Sequence, residues 1–531
     1  MKVILQKKEV SYMNAAKQPK WLDDAIFYQI YPQSFMDSNS DGIGDLNGII
    51  QRLDYIKYLG CNAIWVNPCF ESPFIDAGYD VSDYCTVAAR YGTNQDMKKL
   101  IDEVHSRDMH ILLDLVPGHT SNQHKWFKES AKPYKNEYTD RYVWTDSIWT
   151  EPSGMNTLRG GYDRDATCIV NFFTQQPALN YGFFHVEQPW QQSMNDEGPR
   201  STLEAMKNVM RFWLKMGCDG FRVDMAGSLV KNDDDGKGTV SLWQNVRAFL
   251  DKEFPNAAII SEWGEPDKSL MGGFHMDFLL HFGPSHYNDL FRCEHPFFSA
   301  KGNGDVFEFV EKYKENYAKT GGSGLICVPS GNHDMDRIAR NVTGDQLKIA
   351  FAFLLSLPGA PFIYYGDEIG MRYVENLASV EGGYGRTGSR SPMQWDDTLN
   401  SGFSNASPEK LYIPLDPDPD RPTVKDQVNT PDSLLNEVRK LIDIRKQTPA
   451  LMNKAAIEFI YAEKNSYPLA YLRKSSDQTV LVVINPSSDP CIFDFNGEIR
   501  NVIYSFGDTV ELNSGTASVA PNSAGYYLVE M

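Results

Sequence analysis

Eight short runs rich in β-formers recur along the chain from Phe27, each followed by a longer stretch with helical periodicity, and this alternation limits the fold more than any other feature. The runs are FYQIYPQSF from Phe27, AIWVNP from Ala63, HILLDLVP from His110, GFRVD from Gly220, AIISEW from Ala258, FHMDFLLHF from Phe274, LICVPSGNHD from Leu325 and PFIYYGDE from Pro361. The helical stretches include LEAMKNVMRFWLKM from Leu203 and DQLKIAFAFLLSL from Asp345. Strands joined through helices pair in parallel, and eight such units close on themselves. The spacing therefore predicts a (β/α)8 TIM barrel whose active site lies at the C-terminal ends of the strands.

Two segments break the alternation. A Trp-, Tyr- and Asn-rich stretch, 121–199, follows the third strand and predicts an inserted subdomain. After Ala450 the helical period gives way to alternating strands such as TVLVVINP from Thr479, predicting a C-terminal antiparallel β-sandwich over 451–531. The barrel then comprises 1–120 and 200–450. At 531 residues the chain is long enough for several such units.

The formal net charge of −19 disfavours nucleic acid, whose phosphates call for Lys and Arg. No apolar run reaches the roughly 18 residues a membrane span needs. The opening MKVILQKKEV has an apolar run of only Val3 to Leu5, which is no secretory signal, and Met13 is an alternative start. The eight cysteines are scattered without a CxxC pair and read as reduced thiols of a cytoplasmic protein.

Acids at the ends of strands carry the chemistry. Asp224 ends GFRVD, Glu262 ends AIISE and Asp334 ends the NHD of the seventh run, so a barrel would gather them in one pocket. A lone strand-terminal Asp is most often a helix cap, but three on apolar strands lack a structural purpose. Two carboxylates with a supporting third suit acetal hydrolysis: one attacks the anomeric carbon, one protonates the leaving oxygen and the third holds ring hydroxyls. Arg222, two residues before Asp224, is expected to keep that aspartate ionised. No G-x-S-x-G elbow is present, which argues against a serine hydrolase.

With the motifs DLVPGHTS from Asp114, QPALN from Gln176, GFRVD, SEWGE from Ser261, SGNHD from Ser330, GAPFIYYGDEIGM from Gly359 and RTGSRSPMQWD from Arg386, the sequence resembles glycoside hydrolase family 13, the α-amylase family. Within it the likeness is to the oligo-1,6-glucosidase and α-glucosidase group, and it extends from Trp21 to Met531. The resemblance implies Asp224 as nucleophile, Glu262 as general acid/base and Asp334 as transition-state stabiliser. It implies that His119 and His333 line the sugar site, that Arg222 orients the nucleophile and that Tyr79 stacks on the sugar. Asp80 would pair with Arg390, ahead of Arg386, to hold the non-reducing-end hydroxyls.

Asp37, Asn39, Asp41, Ile43 and Asp45 place oxygens at alternate positions around Gly42, the pattern of a cation loop. It is no EF-hand, because Gly48 stands where the bidentate Glu belongs. The resemblance implies a structural Ca²⁺ there, with Ile43 giving its carbonyl and Mg²⁺ as the other candidate. Gly118 replaces an Asn that helps α-amylases hold a calcium near the cleft, and Gly227 and Ser228 replace their sugar-binding Lys and His. The expected function is thus a retaining, exo-acting α-glucosidase acting on a small oligosaccharide substrate. A trehalose synthase- or sucrose isomerase-like enzyme is the alternative, ahead of an endo-α-amylase. Met225, after the nucleophile, is neither residue usual for α-1,4 or α-1,6 preference.

Overall fold

The computed structural model describes residues 18–513 and 515–531. The opening segment with its alternative start at Met13 lies outside the described residues. All eight expected runs form strands: β1 Phe27–Ile30, β2 Ala63–Val66, β3 His110–Leu115, β4 Gly220–Val223, β5 Ala258–Ser261, β6 Met276–Phe278, β7 Leu325–Cys327 and β8 Phe362–Tyr364. They pair in parallel in the order β7-β6-β5-β4-β3-β2-β1-β8. A parallel bridge between Pro329 and Phe362 joins β7 to β8 and closes the barrel. The strands are buried almost throughout, which is why they read as continuous apolar runs rather than alternating ones.

Eight helices follow the strands in turn: α1 Leu46–Leu59, α2 Asn94–His105, α3 Glu197–Met216, α4 Lys237–Glu253, α5 Pro266–Met271, α6 Phe307–Thr320, α7 Asp345–Leu354 and α8 Leu434–Gln447. Local signals set their ends. Asp45 caps α1 by accepting from Gly48 N, and Thr93 with Asp96 forms a capping box on α2.

Between β3 and α3 the chain leaves the barrel, forming a helix at Lys125–Ser130 and a small hairpin of Thr157–Leu158 with Cys168–Ile169. Val143, Ile169, Ala178 and Phe183 give this insertion an apolar cluster of its own. Beyond α8 come β9 Ala456–Tyr461, β10 Leu469–Lys474, β11 Thr479–Asn485, β12 Cys491–Asp494, β13 Glu498–Phe506, β14 Glu511–Asn513, β15 Thr516–Val519 and β16 Ser523–Glu530. They form antiparallel sheets of order β9-β10-β11-β16-β13 and β12-β15-β14. Alternation along β10 explains the packing: Leu469 and Tyr471 join the barrel's core, whereas Ala470 and Leu472 face Phe493, Ala517 and Val519 of the smaller sheet. All eight cysteines are free thiols. Among the described residues no helix is long and apolar enough to cross a membrane.

Candidate active site

The β3–β4–β5 ladder positions the first acids. Asp224 and Glu262 each follow their strand by one residue, and their backbone N–H groups still donate into the ladder, to Leu115 O at 2.8 Å and Val223 O at 2.9 Å. Asp114 and Arg222 are register partners on β3 and β4. The buried Arg222 guanidinium therefore meets three carboxylates: Asp114 at 2.9 Å, Asp224 at 3.0 Å and Glu262 at 2.7 Å. Met225 N also donates to Glu262 Oε2 at 3.3 Å, and Met225 itself has a left-handed φ of 41°. Such backbone in a non-glycine residue costs on the order of 1–3 kcal/mol and persists where surrounding contacts enforce it.

Asp334 arrives by a different route. β7 ends at Cys327, so Asp334 lies in the following loop rather than at a strand terminus as the sequence suggested. Two arginines and a histidine place its carboxylate: Arg386 at 2.6 Å, Arg390 at 3.0 Å and His333 Nε2 at 3.2 Å. Burial alone would raise its pKa, but His333, Arg390 and Arg386 outweigh burial and hold the carboxyl well below the usual range.

A cavity of about 220 Å³ opens among these groups, lined by Asp76, Tyr79, His119, Phe172, Asp224, Met225, Glu262, His281, Phe282, Asp334 and Arg386. It is smaller than the roughly 300–1,000 Å³ typical of drug-sized ligands. Tyr79 Oη donates to Asp114 Oδ2 at 3.1 Å and its ring stacks on His333 with centroids 5.2 Å apart. His333 is fully buried, its Nδ1 accepting from Gln29 Nε2 and Asn67 Nδ2, each at 3.1 Å. His119 donates from Nε2 to Tyr79 O at 3.1 Å and accepts at Nδ1 from Asn171 Nδ2 at 3.2 Å. Burial brings its pKa down to about 4, so it stands neutral.

The expected Asp80–Arg390 pair does not form. Asp80 is wholly buried and folds its own loop, accepting from Ser72 Oγ at 2.9 Å, Ile75 N at 2.9 Å and Asp76 N at 3.1 Å. Asp76 is the carboxylate that reaches the cavity, 3.8 Å from Arg386. Arg390 instead lies behind Asp334, donating from Nε to His333 O at 2.8 Å. The physical reason is loop geometry: left-handed residues at Phe74, Ala77 and Gly78 turn Asp76 inward and Asp80 under it. Burial works against the ionisation expected of Asp224. Its pKa is raised, burial leading, with repulsion from Glu262 and Asp114 adding to it and Arg222 opposing. Asp114 is raised for the same first reason, to about 6. Three carboxylates sharing one guanidinium favour keeping a proton within the cluster.

Asp76, Asp114, Phe172, His281 and Phe282 were not among the residues singled out as a site. Asp114 opens the DLVPGHTS motif on β3, and His281 and Phe282 end the FHMDFLLHF run, where position at a run's end is the available signal; Asp76 and Phe172 sit on loops with no periodic cue. The replaced positions have occupants. Asn171 Nδ2 donates to Gly118 O at 3.1 Å, and a Cβ on Gly227 would come within 2.5 Å of the Trp263 indole nitrogen.

The Asp37–Asp45 loop stands apart from this cavity. Asp37 accepts from Asn39 N, Ser40 N and Gly42 N, Asp41 from Ile43 N, and Asp45 from Ser38 N and Gly48 N. None of the three carboxylates has an ion-pair partner among the described residues. Nor do three or more His, Cys, Asp or Glu side chains gather there, among the described residues, as a ready metal cage. The candidate donor set thus depends on the Asn39 amide and the Ile43 carbonyl as well as on carboxylates.

A family model described as the α-amylase catalytic domain matches residues 29–454. The oligo-1,6-glucosidase of Bacillus cereus is 30% identical, over 91% of this chain and 94% of its own. The trehalose synthase/amylase of Mycobacterium tuberculosis is 33% identical, over 89% of this chain and 83% of its own. Among solved structures, a mutant isomaltulose synthase of Erwinia rhapontici, in complex with its natural substrate sucrose, is similar with a TM-score of 0.81 at 26% identity, covering 97% of this chain and 100% of that one.

Proposed function

Because the chain belongs to the α-amylase family and is a glycoside hydrolase, we propose that it is a retaining, exo-acting α-glucosidase for short α-glucosides such as maltose, isomaltose, sucrose or malto-oligosaccharides. Asp224 attacks the anomeric carbon while Glu262 gives its proton to the departing oxygen, leaving a glucosyl–Asp224 ester. Glu262, then a carboxylate, takes a proton from water, whose oxygen displaces Asp224 and retains the α configuration. Asp334, ionised between Arg386, Arg390 and His333, holds ring hydroxyls of the oxocarbenium-like transition state.

One observation carries this reading: a small cavity lined by Asp224, Glu262 and Asp334, with two of them on a single guanidinium. A shared Arg222 suits the short carboxyl separation, about 5–5.5 Å, that retaining enzymes use. Asp76 and Arg386 supply polar groups for the non-reducing-end hydroxyls. The test is to incubate the protein with α-linked disaccharides and with starch and to identify products over time. Glucose released singly from short substrates supports the reading; rapid fall in starch viscosity with maltose and longer early fragments defeats it.

Likeness to a trehalose synthase/amylase and to an isomaltulose synthase favours a second reading, in which the glucosyl ester passes to a sugar hydroxyl instead of water. The same time course separates the two, since an isomerising enzyme would convert one disaccharide into another with little free glucose.

The Asp37–Asp45 loop is proposed to take a structural Ca²⁺, or Mg²⁺, through Asp37, Asn39, Asp41, the Ile43 carbonyl and Asp45. Three carboxylates within nine residues, hydrogen-bonded but without an ion-pair partner among the described residues, support this, because such charges seek a cation. The free thiols suit a reducing compartment and support a cytoplasmic location.

A further inference from the structure

We propose that His281 binds a hydroxyl of the sugar on the leaving-group side of the scissile bond, and so helps set which α-glucosides and which acceptors the enzyme takes. The inference rests on the reading of Glu262 as acid/base and deepens it. His281 lies in the loop after β6 and lines the cavity together with Phe282. Its backbone is fixed: Asn288 Nδ2 donates to His281 O at 3.1 Å, and Ser285 Oγ donates to the preceding carbonyl of Leu280.

The imidazole is the exception in this wall. Every other ionisable or phenolic group lining the cavity has a hydrogen bond or ion pair, whereas neither ring nitrogen of His281 has a hydrogen-bond partner among the described residues, and Nδ1 is buried. Burying an unpaired polar group is unfavourable unless something else satisfies it. Burial also lowers the pKa of His281, so the ring is neutral, with one nitrogen donating and one accepting. That pair matches a hydroxyl, which also does both.

Its place along the substrate follows from its neighbours. Asp334, Glu262, Arg292 and Arg386 all act electrostatically on His281. Phe282 packs against Gly264, two residues beyond Glu262, where a Cβ would meet the ring at 3.0 Å. Glu262 protonates the bridging oxygen, so a group on the Gly264 flank of Glu262 faces the departing sugar. Phe282 then offers an apolar face and His281 a polar contact.

The experiment compares wild type, His281→Ala and His281→Gln on the best disaccharide substrate and on p-nitrophenyl α-D-glucopyranoside, whose leaving group has no sugar hydroxyls. His281→Ala should lose about tenfold in kcat/KM on the disaccharide, mainly through KM, the size of one lost hydrogen bond. The aryl glucoside should change about twofold or less, and Gln, which keeps a donor and an acceptor, should recover part of the loss. Equal losses on both substrates, or none on either, overturn the proposal. Glu262→Gln, run alongside, should lower kcat rather than raise KM; if it does not depend on the leaving group, the acid/base reading fails independently of His281.

Discussion

Gln176 Nε2 donates to Asp76 Oδ2 over 2.8 Å, tying the segment inserted after β3 to the loop after β2 at the cavity wall. With Arg386 on the other side, Asp76 has the position the sequence had suggested for Asp80. The two aspartates should respond differently to replacement. Asp76→Ala should lower kcat/KM on short α-glucosides by about ten- to a hundredfold, since substrate hydroxyls lose a partner costing roughly 1–3 kcal/mol, and should lower the melting temperature less than Asp80→Ala, with Gln176 Nε2 left without its acceptor. Asp80→Ala should cost stability first, because Ile75 N and Asp76 N lose their acceptor. Kinetics and thermal melts on both variants check this, and a fully stable Asp80→Ala with a purely kinetic defect would contradict it.

Burial pushes the pKa of Asp76 up to about 6, with Gln176 and Arg386 opposing. Only the ionised form can accept two hydrogen bonds from sugar hydroxyls while facing Arg386. The sign follows directly: kcat/KM should fall as pH drops through about 6, because protonation removes that acceptor. Asp76→Asn should displace or flatten this acidic limb in a pH–rate profile. A limb left unchanged would assign it to Asp224, whose pKa is also raised by burial.

Asp224→Asn should abolish turnover with the fold intact, since Met225, the next cavity-lining side chain after β4, has no carboxylate to form the ester. Glu262→Gln should cost about 10²–10⁴ on sugars with poor leaving groups and much less on an aryl glucoside. Proton NMR of the earliest product should show α-glucose. β-Glucose as the first product would remove the retaining mechanism.

What was legible in the sequence followed strand register. Asp224 and Glu262 come directly after β4 and β5, so apolar runs alone place them at the barrel's end. Asp76 and Asp80 share one turn, and which carboxylate faces the cavity depends on left-handed φ values at Phe74, Ala77 and Gly78 that residue types do not announce. Arg386 and Arg390 belong to one 3-10 stretch, Tyr384–Arg390, and the fall of that stretch sends Arg390 beneath Asp334 while Arg386 stays at the cavity. His281 stands near the end of the sixth run, FHMDFLLHF, but a lone histidine there has no partner in sequence to mark it; its unpaired ring is visible only in three dimensions.

Chelation should test the Asp37–Asp45 loop. A cation bound only by the folded protein stabilises it by mass action, about 2.7 kcal/mol at a hundredfold excess over Kd. Since Asp45 also caps α1, removal of the ion should lower the melting temperature while leaving KM nearly unchanged. Purified protein with no divalent metal by elemental analysis, and no shift on adding chelator, would rule the ion out.

Asp277 offers a test of burial itself. It is fully buried on β6, and its Oδ1 accepts from Ser261 Oγ at 2.8 Å, Trp263 N at 3.0 Å and Gly264 N at 3.4 Å, so it grips both flanks of Glu262. Its Oδ2 has no partner among the described residues, and burial pushes the pKa up to about 7. An unfolded aspartate titrates near about 3.9, so the folded state holds this proton more tightly. The stability it contributes is complete below about pH 4 and is lost as pH rises through about 7. Asp277→Asn keeps the Oδ1 acceptor and cannot ionise. Its new Nδ2 adds an unpaired donor, a cost of about 1–3 kcal/mol that does not vary with pH. The melting temperature of the variant, measured against wild type, should therefore improve from about pH 4.5 to about pH 8.5. A difference that stays constant across that range would mean that Asp277 does not titrate in the folded protein. Asp277→Ala removes the acceptor altogether, leaving Trp263 N and Gly264 N unpaired beside Glu262, and should be less stable than Asn at every pH and slower on disaccharides.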